Sequence, residues 1–213
     1  RNINRTWPGK PDGKLTEQTC YAFTQYIKDK NVDLFIDLHE AELEYTVINT
    51  IVAHQRGNAI ASMTSMTLTA NEFDVPIGME YSPKSLHGLS HREVGDHTQA
   101  VSILFEVAEP MLDRVRGVTN EELLMEGNDP FVRKAGEYGL LYSPMPENGW
   151  PIDVRVGRHN STILESLNQW TLNNPGKPIK IDNVPNYDKV KKNGVGHYFK
   201  NPQEVPEDRV AYE

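Results

Sequence analysis

The residue most able to do chemistry in this sequence is a histidine that follows an apolar run. Residues 32–38 (Val-Asp-Leu-Phe-Ile-Asp-Leu) are mostly apolar and predict a buried strand, and His39 comes directly after them. Open α/β sheets bind ligands at the carboxyl ends of their strands, so His39 is a candidate metal ligand. The alternative is an ordinary core or rim histidine whose ring is satisfied by a neighbouring group.

An acid beside this histidine belongs to the same candidate site. Asp37 precedes His39 by two residues, so both side chains point to the same face of a strand. A carboxylate there can orient the imidazole by accepting a hydrogen bond from it, although it can equally anchor a loop. Glu42 lies three residues after His39 and points to the opposite face of a strand, which argues against a metal shared by these two residues.

A second acid interrupts another apolar run. Glu106 lies within residues 101–107 (Val-Ser-Ile-Leu-Phe-Glu-Val), which predict a further buried strand. A carboxylate inside such a strand is costly unless it is paired, hydrogen-bonded or protonated. Glu106 is therefore either a general base, poised by partial burial beside a metal-bound water, or a residue that ends the strand and points to solvent.

The third candidate is an amide next to a guanidinium near the start of the chain. Asn4 and Arg5 precede a loop rich in Pro and Gly. The fork-shaped guanidinium of arginine binds carboxylates with two hydrogen bonds, so this pair predicts a substrate anchor. Asn–Arg pairs are also common on loops that bind nothing, and that interpretation stays open at this point.

The elements that position these residues alternate between helix and strand. Apolar residues at helical spacing predict helices, and β-branched runs predict strands. The predicted helices are residues 16–30, 58–73, 119–125, 129–138 and 152–172, and the predicted strands, besides the two above, are residues 45–53 and 75–81. This order predicts one α/β domain over residues 1–176, followed by a polar, proline-dotted tail over residues 177–213 that wraps around it.

The longest polar stretch is residues 82–95, which we predict to be a loop. It contains His87, His91, Arg92 and Glu93, and functional residues often lie on such loops. We interpret the run from His91 to Glu93 as a possible substrate contact. It is a poor metal motif because three adjacent side chains do not converge on one ion.

Composition excludes several classes of partner. The formal net charge of the 213 residues is -8, which disfavours nucleic acid and anionic membrane surfaces as partners. No apolar run approaches the roughly 20 residues that a membrane span requires. The single cysteine, Cys20, excludes an internal disulfide and fits the buried face of a helix. These features do not distinguish a cytoplasmic protein from a periplasmic or secreted one.

Taken in order, these motifs resemble one family over roughly residues 2–170. The chain is similar to the zinc carboxypeptidase superfamily, and within it to the succinylglutamate desuccinylase/aspartoacylase-like branch. The resemblance rests on Asn-Arg-Thr-Trp-Pro-Gly at residues 4–9, Ile-Asp-Leu-His-Glu-Ala at 36–41, Gly-Leu-Ser-His-Arg-Glu at 88–93, Ile-Leu-Phe-Glu at 103–106 and Arg-Val-Arg-Gly-Val-Thr-Asn-Glu at 114–121. It implies a mixed, mostly parallel central sheet with helices on both faces.

The resemblance also implies roles for the candidate residues. His39 would be one ligand of a single Zn²⁺, and Glu106 would be the general base and acid that acts through the zinc-bound water. Arg5 would bind a substrate carboxylate, with Asn4 assisting. The implied activity is hydrolysis of an amide bond in a small N-acyl amino acid or at the carboxyl end of a peptide.

One part of the family pattern has no counterpart in this sequence. The family's other two zinc ligands come from a His-x-x-Glu motif upstream of the Asn-Arg motif, and this chain begins three residues before Asn4. A catalytic zinc needs about three protein ligands. We therefore expect the first strands and the other ligands on an N-terminal segment of the same gene product. One face or edge of the sheet should then be poorly covered.

Two other functions compete with this hypothesis. The first is a non-catalytic binding protein that keeps the fold and the pocket but holds no metal. The second is a serine or cysteine hydrolase, which is disfavoured because the sequence lacks a Gly-x-Ser-x-Gly motif and Cys20 lies on a predicted helix face.

Overall fold

The structure is a computed structural model, and it describes residues 2–110, 117, 119–143 and 145–199. The motif expected at residues 114–121 is therefore described only at residues 117 and 119–121, and the predicted tail is described as far as residue 199.

The described residues form helices and strands around one central sheet. The helices are α1 (Leu15–Asp29), α2 (Asn58–Asn71), α3 (Ser90–His97), α4 (Glu121–Glu126), α5 (Pro130–Glu137), α6 (Ile152–Asn173) and α7 (Tyr187–Asn193), and the strands are β1 (Leu34–Glu42), β2 (Thr50–Ala53), β3 (Gly78–Tyr81) and β4 (Val101–Glu109). Short 3-10 helices lie at Ile3–Arg5, Gln55–Gly57 and Val195–Tyr198.

The strands of the described residues form a four-stranded mixed sheet in the order β1-β4-β2-β3. β1 pairs with β4 in parallel, β4 with β2 antiparallel, and β2 with β3 in parallel. This arrangement confirms the predicted α/β class and the mixed sheet. Two of the three pairings are parallel, in partial agreement with the prediction of a mostly parallel sheet.

The two faces of this sheet carry different side chains because successive residues of a strand point to opposite sides. One side, called the apolar face here, packs against α2 and α6. It is formed by Ile36, Ile51, Ala53, Met79, Ile103, Phe105 and Val107. The other side, called the site face, is formed by Phe35, Asp37, His39, Thr50, Val52, Glu80, Leu104 and Glu106.

Helix α3 lies over part of the site face. Its Val94 packs with Ile27 of α1 and Ala100, and Phe35 of β1 contacts this cluster. The ring of His54, which follows β2, fits closely against α3 because Gly95 has no side chain; a Cβ there would lie 2.3 Å from the ring. The amino-terminal end of α3 is thereby held beside the part of β1 that contains His39.

Two predictions about β1 are wrong. The strand does not end before His39 but continues to Glu42, because its pairing with β4 continues to Glu109. Among the residues that the structure describes it is also not a buried strand, since it lies at the edge of their four-stranded sheet. Most of its side chains are accordingly only partly covered, and Leu38 is 41% exposed.

Other predictions differ from the structure in extent or in type. The strand predicted at residues 45–53 is limited to β2, because Tyr45–Asn49 form turns before it. The strand predicted at residues 75–81 shortens to β3. The predicted loop at residues 82–95 ends at α3, which places His91, Arg92 and Glu93 on a buried helix instead of a polar loop.

The remaining helices agree with the sequence pattern. The predicted helices correspond to α1, α2, α4, α5 and α6 to within a few residues at each end. Cys20 is fully buried on α1, as predicted. Within the ranges that the structure describes, no helix combines the length and apolar character that a membrane crossing requires. The first part of the tail forms α7, whose Tyr187 and Val190 are buried against α6.

Candidate functional site

The four predicted site residues lie in one cavity. Asn4, Arg5, His39 and Glu106 all line a pocket of about 460 Å³ on the site face of the sheet. The 3-10 helix brings the first two residues, and the paired strands β1 and β4 bring the other two. Because His39 and Glu106 are direct partners in the parallel register, their side chains lie next to each other on one face.

The ring of His39 lies between two carboxylates. Its Nε2 is 3.1 Å from Asp37 Oδ2, and its Nδ1 is 3.7 Å from Glu106 Oε1. When the proton is on Nε2, that nitrogen donates to Asp37 and the Nδ1 lone pair points toward Glu106. Burial acts to lower the pKa of His39, but the hydrogen bond and charge of Asp37, together with the charge of Glu106, raise it above its ordinary value.

Asp37 is held from two sides. Besides contacting His39, its Oδ2 accepts a short hydrogen bond from the hydroxyl of Ser90, the first residue of α3. Burial acts to raise the pKa of Asp37, yet the hydrogen bonds and charge of His39, with the bond from Ser90, leave that pKa below its ordinary value. Asp37 is therefore a carboxylate that fixes the orientation of the imidazole, which is one of the two roles that the sequence left open.

Glu106 is the most strongly perturbed acid of the site. Its side chain is only 13% exposed, and burial raises its pKa to about 7. The Oε2 atom is buried and has no hydrogen-bond partner among the residues that the structure describes. An acid that is half ionised near neutral pH and lines a cavity beside an imidazole suits proton transfer.

Asn4 is fixed by the end of α3. Its side chain is buried, its Oδ1 accepts from the backbone N–H of Ser90 at 2.7 Å, and its Nδ2 lies 3.4 Å from His39 Nε2. Sequence reasoning missed Ser90, which binds both Asn4 and Asp37. The spacing Ser-x-x-Glu from Ser90 to Glu93 is typical of a helix start, but the N-cap of α3 is Leu89, so this pattern would not have identified the contact of Ser90 with Asp37.

Arg5 is an exposed cation at the mouth of the cavity. Its Nη1 donates to the carbonyl of Asn4 at 2.6 Å, and within the described part of the chain it forms no ion pair. The loop before α3 approaches closely: at Gly88, whose φ is +86°, a Cβ would lie 3.0 Å from the carbonyl oxygen of Arg5. The guanidinium thus remains available for a ligand carboxylate.

His91 contributes a buried imidazole to the wall of the cavity. It is 2% exposed, and neither ring nitrogen has a hydrogen-bond partner among the described residues. Burial, together with the charges of Arg92 and of the other histidines, lowers its pKa to about 4, against the opposing charge of Asp37. His91 is therefore neutral at pH 7.

The donor atoms of the site fit one ligand of a zinc ion, not a complete set. His39 presents Nδ1 with no hydrogen bond and is oriented through Nε2 by a carboxylate, which is the usual arrangement of a metal-binding histidine. Among the residues that the structure describes, no group of three or more His, Cys, Asp or Glu side chains is arranged to hold a metal. Any full zinc site requires ligands in addition to these.

Comparisons of the chain with protein-family models, with curated proteins and with solved structures each found no match.

Proposed function

We propose that this chain forms the substrate pocket of a zinc-dependent amide hydrolase that acts on an N-acyl amino acid or on the carboxyl end of a peptide. The observation that supports the proposal is the meeting of four residues, predicted from the sequence alone, in one cavity: Asn4, Arg5, His39 and Glu106. An unpaired cation, an oriented imidazole and a carboxylate with a raised pKa are the groups that such a reaction uses.

The finer fold assignment belongs to the same proposal. The motifs resemble those of the zinc carboxypeptidase superfamily and its succinylglutamate desuccinylase/aspartoacylase-like branch, and a mixed sheet with helices on both faces is compatible with that fold. The other two zinc ligands are proposed to come from an N-terminal segment of the same gene product. The outer edge of β1, which pairs with no other described strand, is where such a segment would add to the sheet.

His39 is the residue of this chain that would hold the zinc ion. When bound, zinc supplies a Lewis acid that polarises the amide carbonyl and lowers the pKa of its water. Asp37 keeps His39 in the tautomer that leaves Nδ1 free, and Ser90 holds Asp37 in place. Two polar groups, Asp37 and Ser90, thus orient the ring of His39.

Two further roles, proton transfer and binding of the substrate carboxylate, belong to side chains of this chain. Glu106, when ionised, accepts a proton from the attacking water in the cavity that it lines and returns it to the leaving amine. Arg5 binds the substrate carboxylate through its free N–H groups, and Asn4 keeps Arg5 in position through the backbone carbonyl that Arg5 contacts. Holding the carboxylate fixes the amide relative to Glu106.

The test uses the full-length gene product, its zinc content and a panel of N-acyl amino acids and short peptides. We expect stoichiometric zinc in the wild type. His39→Ala should remove both the zinc and the hydrolysis. Glu106→Gln should keep the zinc and lower kcat by about 10²–10⁴-fold, the usual contribution of a general base.

Each outcome of this test decides between two functions. Stoichiometric zinc with hydrolysis supports the enzyme. A wild type with neither zinc nor hydrolysis, but with binding of a carboxylate ligand that Arg5→Ala abolishes, would identify a binding protein that retains only the pocket. Hydrolysis that survives both His39→Ala and Glu106→Gln would overturn the proposed roles.

A further inference from the structure

The cavity extends beyond the catalytic pair across two further strands. Leu104 lies two residues before Glu106 on β4 and points to the same face of the sheet. It pairs with Val52 of β2, and Val52 pairs with Glu80 of β3. These three side chains line the same pocket. Since neighbouring strands are about 4.8 Å apart, β3 lies about 10 Å from β4. An apolar floor therefore separates the catalytic pair from a carboxylate.

Glu80 has no partner in this position. It is exposed and, within the described part of the chain, it makes no hydrogen bond and no ion pair. Arg5, which also lines the pocket, likewise has no carboxylate partner among those residues. Arg5 is placed beside β1 by the contact of Asn4 with His39, whereas Glu80 lies on the opposite edge strand. The pocket thus has an unpaired cation, Arg5, on the side of β1 and an unpaired carboxylate, Glu80, on the side of β3.

We propose that Glu80 is a specificity-determining residue that selects ligands with a long basic side chain, such as those of lysine and arginine. This inference rests on the proposed function, in which Arg5 binds the carboxylate of the ligand. The methylene groups of the side chain lie over Leu104 and Val52, and the cationic end pairs with Glu80.

The alternatives to a basic side chain are less favourable for a physical reason. A purely apolar side chain over the same floor would remove water from Glu80 without offering a partner, which is costly for a charged group. An acidic side chain would place like charges next to each other. A basic side chain instead gains a charge-assisted hydrogen bond, worth about tenfold in affinity.

The test measures binding of free amino acids, so that it does not depend on hydrolysis. Calorimetric titration of the full-length protein with L-lysine, L-arginine, L-norleucine and L-glutamate compares side chains of similar length and different charge. We expect the wild type to bind lysine or arginine about tenfold more tightly than norleucine. Glu80→Gln should remove this preference, and Glu80→Lys should favour glutamate.

Glu126→Gln is the matched control, because it makes the same change at an exposed position outside the pocket. It should keep the wild-type preference. Equal affinity of the wild type for lysine and norleucine, a preference that survives Glu80→Gln, or no binding of any of the four amino acids would each overturn the inference. Failure of the proposed function looks different: the binding preference is present, but N-acyl-lysine and N-acyl-norleucine are not hydrolysed.

Discussion

The two faces of the sheet carry side chains of opposite character, although the same strands form both faces. On the apolar face, Ile103, Phe105 and Val107 of β4 are fully buried against helices. On the site face, Glu106 lies between two of these residues in sequence, yet it keeps a buried oxygen without a partner among the described residues. One face is closed and apolar, while the other is open and carries groups whose pKa values are displaced.

This contrast shows that the apolar face supplies stability, whereas the site face carries the ionisable groups. Burial of apolar area on the first face favours folding, with about 25 cal/mol for each Å². Burial of Glu106 on the second opposes folding, because its charged form loses water, and His91 of α3, which covers that face, meets the same cost only when acid protonates it. Functional sites commonly contain such costly groups, and the closed face offsets their cost.

The largest effect on stability should come from removing a buried side chain from the apolar face. Phe105→Ala removes a fully buried ring from the main core cluster, so we expect the free energy of unfolding to fall by about 3–5 kcal/mol in chemical denaturation. The matched control is Phe131→Ala on α5, because Phe131 is 42% exposed, and it should cost about 1 kcal/mol or less. Equal losses in the two variants would contradict the comparison of the faces.

A somewhat smaller effect should appear on the site face as a pH dependence. The pKa of His91 is lowered from 6.5 to about 4, so the unfolded chain binds a proton at a higher pH than the folded one does. The stability that this provides is complete above pH 6.5 and is lost as the pH falls toward about 4, by about 3 kcal/mol. His159, whose pKa burial also lowers to about 4, adds a loss in the same direction.

Denaturation curves between pH 7 and pH 4 measure this loss. His91→Leu should remove about 3 kcal/mol of this loss on acidification relative to the wild type, because His159 and Glu106, whose raised pKa gives a slope of the opposite sign, remain in both proteins. His197→Gln, at an exposed position in the tail, serves as the control and should leave the slope unchanged. The same slope in His91→Leu and in the wild type would show that His91 is not held neutral by burial.

The smallest effect should come from the link between α3 and β1. Ser90→Ala removes the hydroxyl that donates to Asp37, and we expect the free energy of unfolding to fall by about 1–2 kcal/mol. Ser85→Ala, in the exposed loop before α3, should be close to neutral. A neutral Ser90→Ala would mean that Asp37 finds another donor and that the site face tolerates the loss.

Local patterns in the sequence determined the main helices, the α/β class and four of the residues that line the cavity. The helical spacing of α1 and α6 and the apolar run of β4 depend on residues a few positions apart, so they can be identified without the fold. The cost of a carboxylate within β4 likewise identified Glu106 from its neighbours alone.

Only the tertiary structure decided how these parts meet. The order of strands, with β4 in the centre and β1 at the edge, and the register that pairs His39 with Glu106 join segments far apart in the chain. No local pattern encodes such pairings, because register depends on which faces are buried together. For the same reason the sequence did not predict that Ser90 would hold Asp37, nor that Glu80 would lie across an apolar floor from His39 and Glu106.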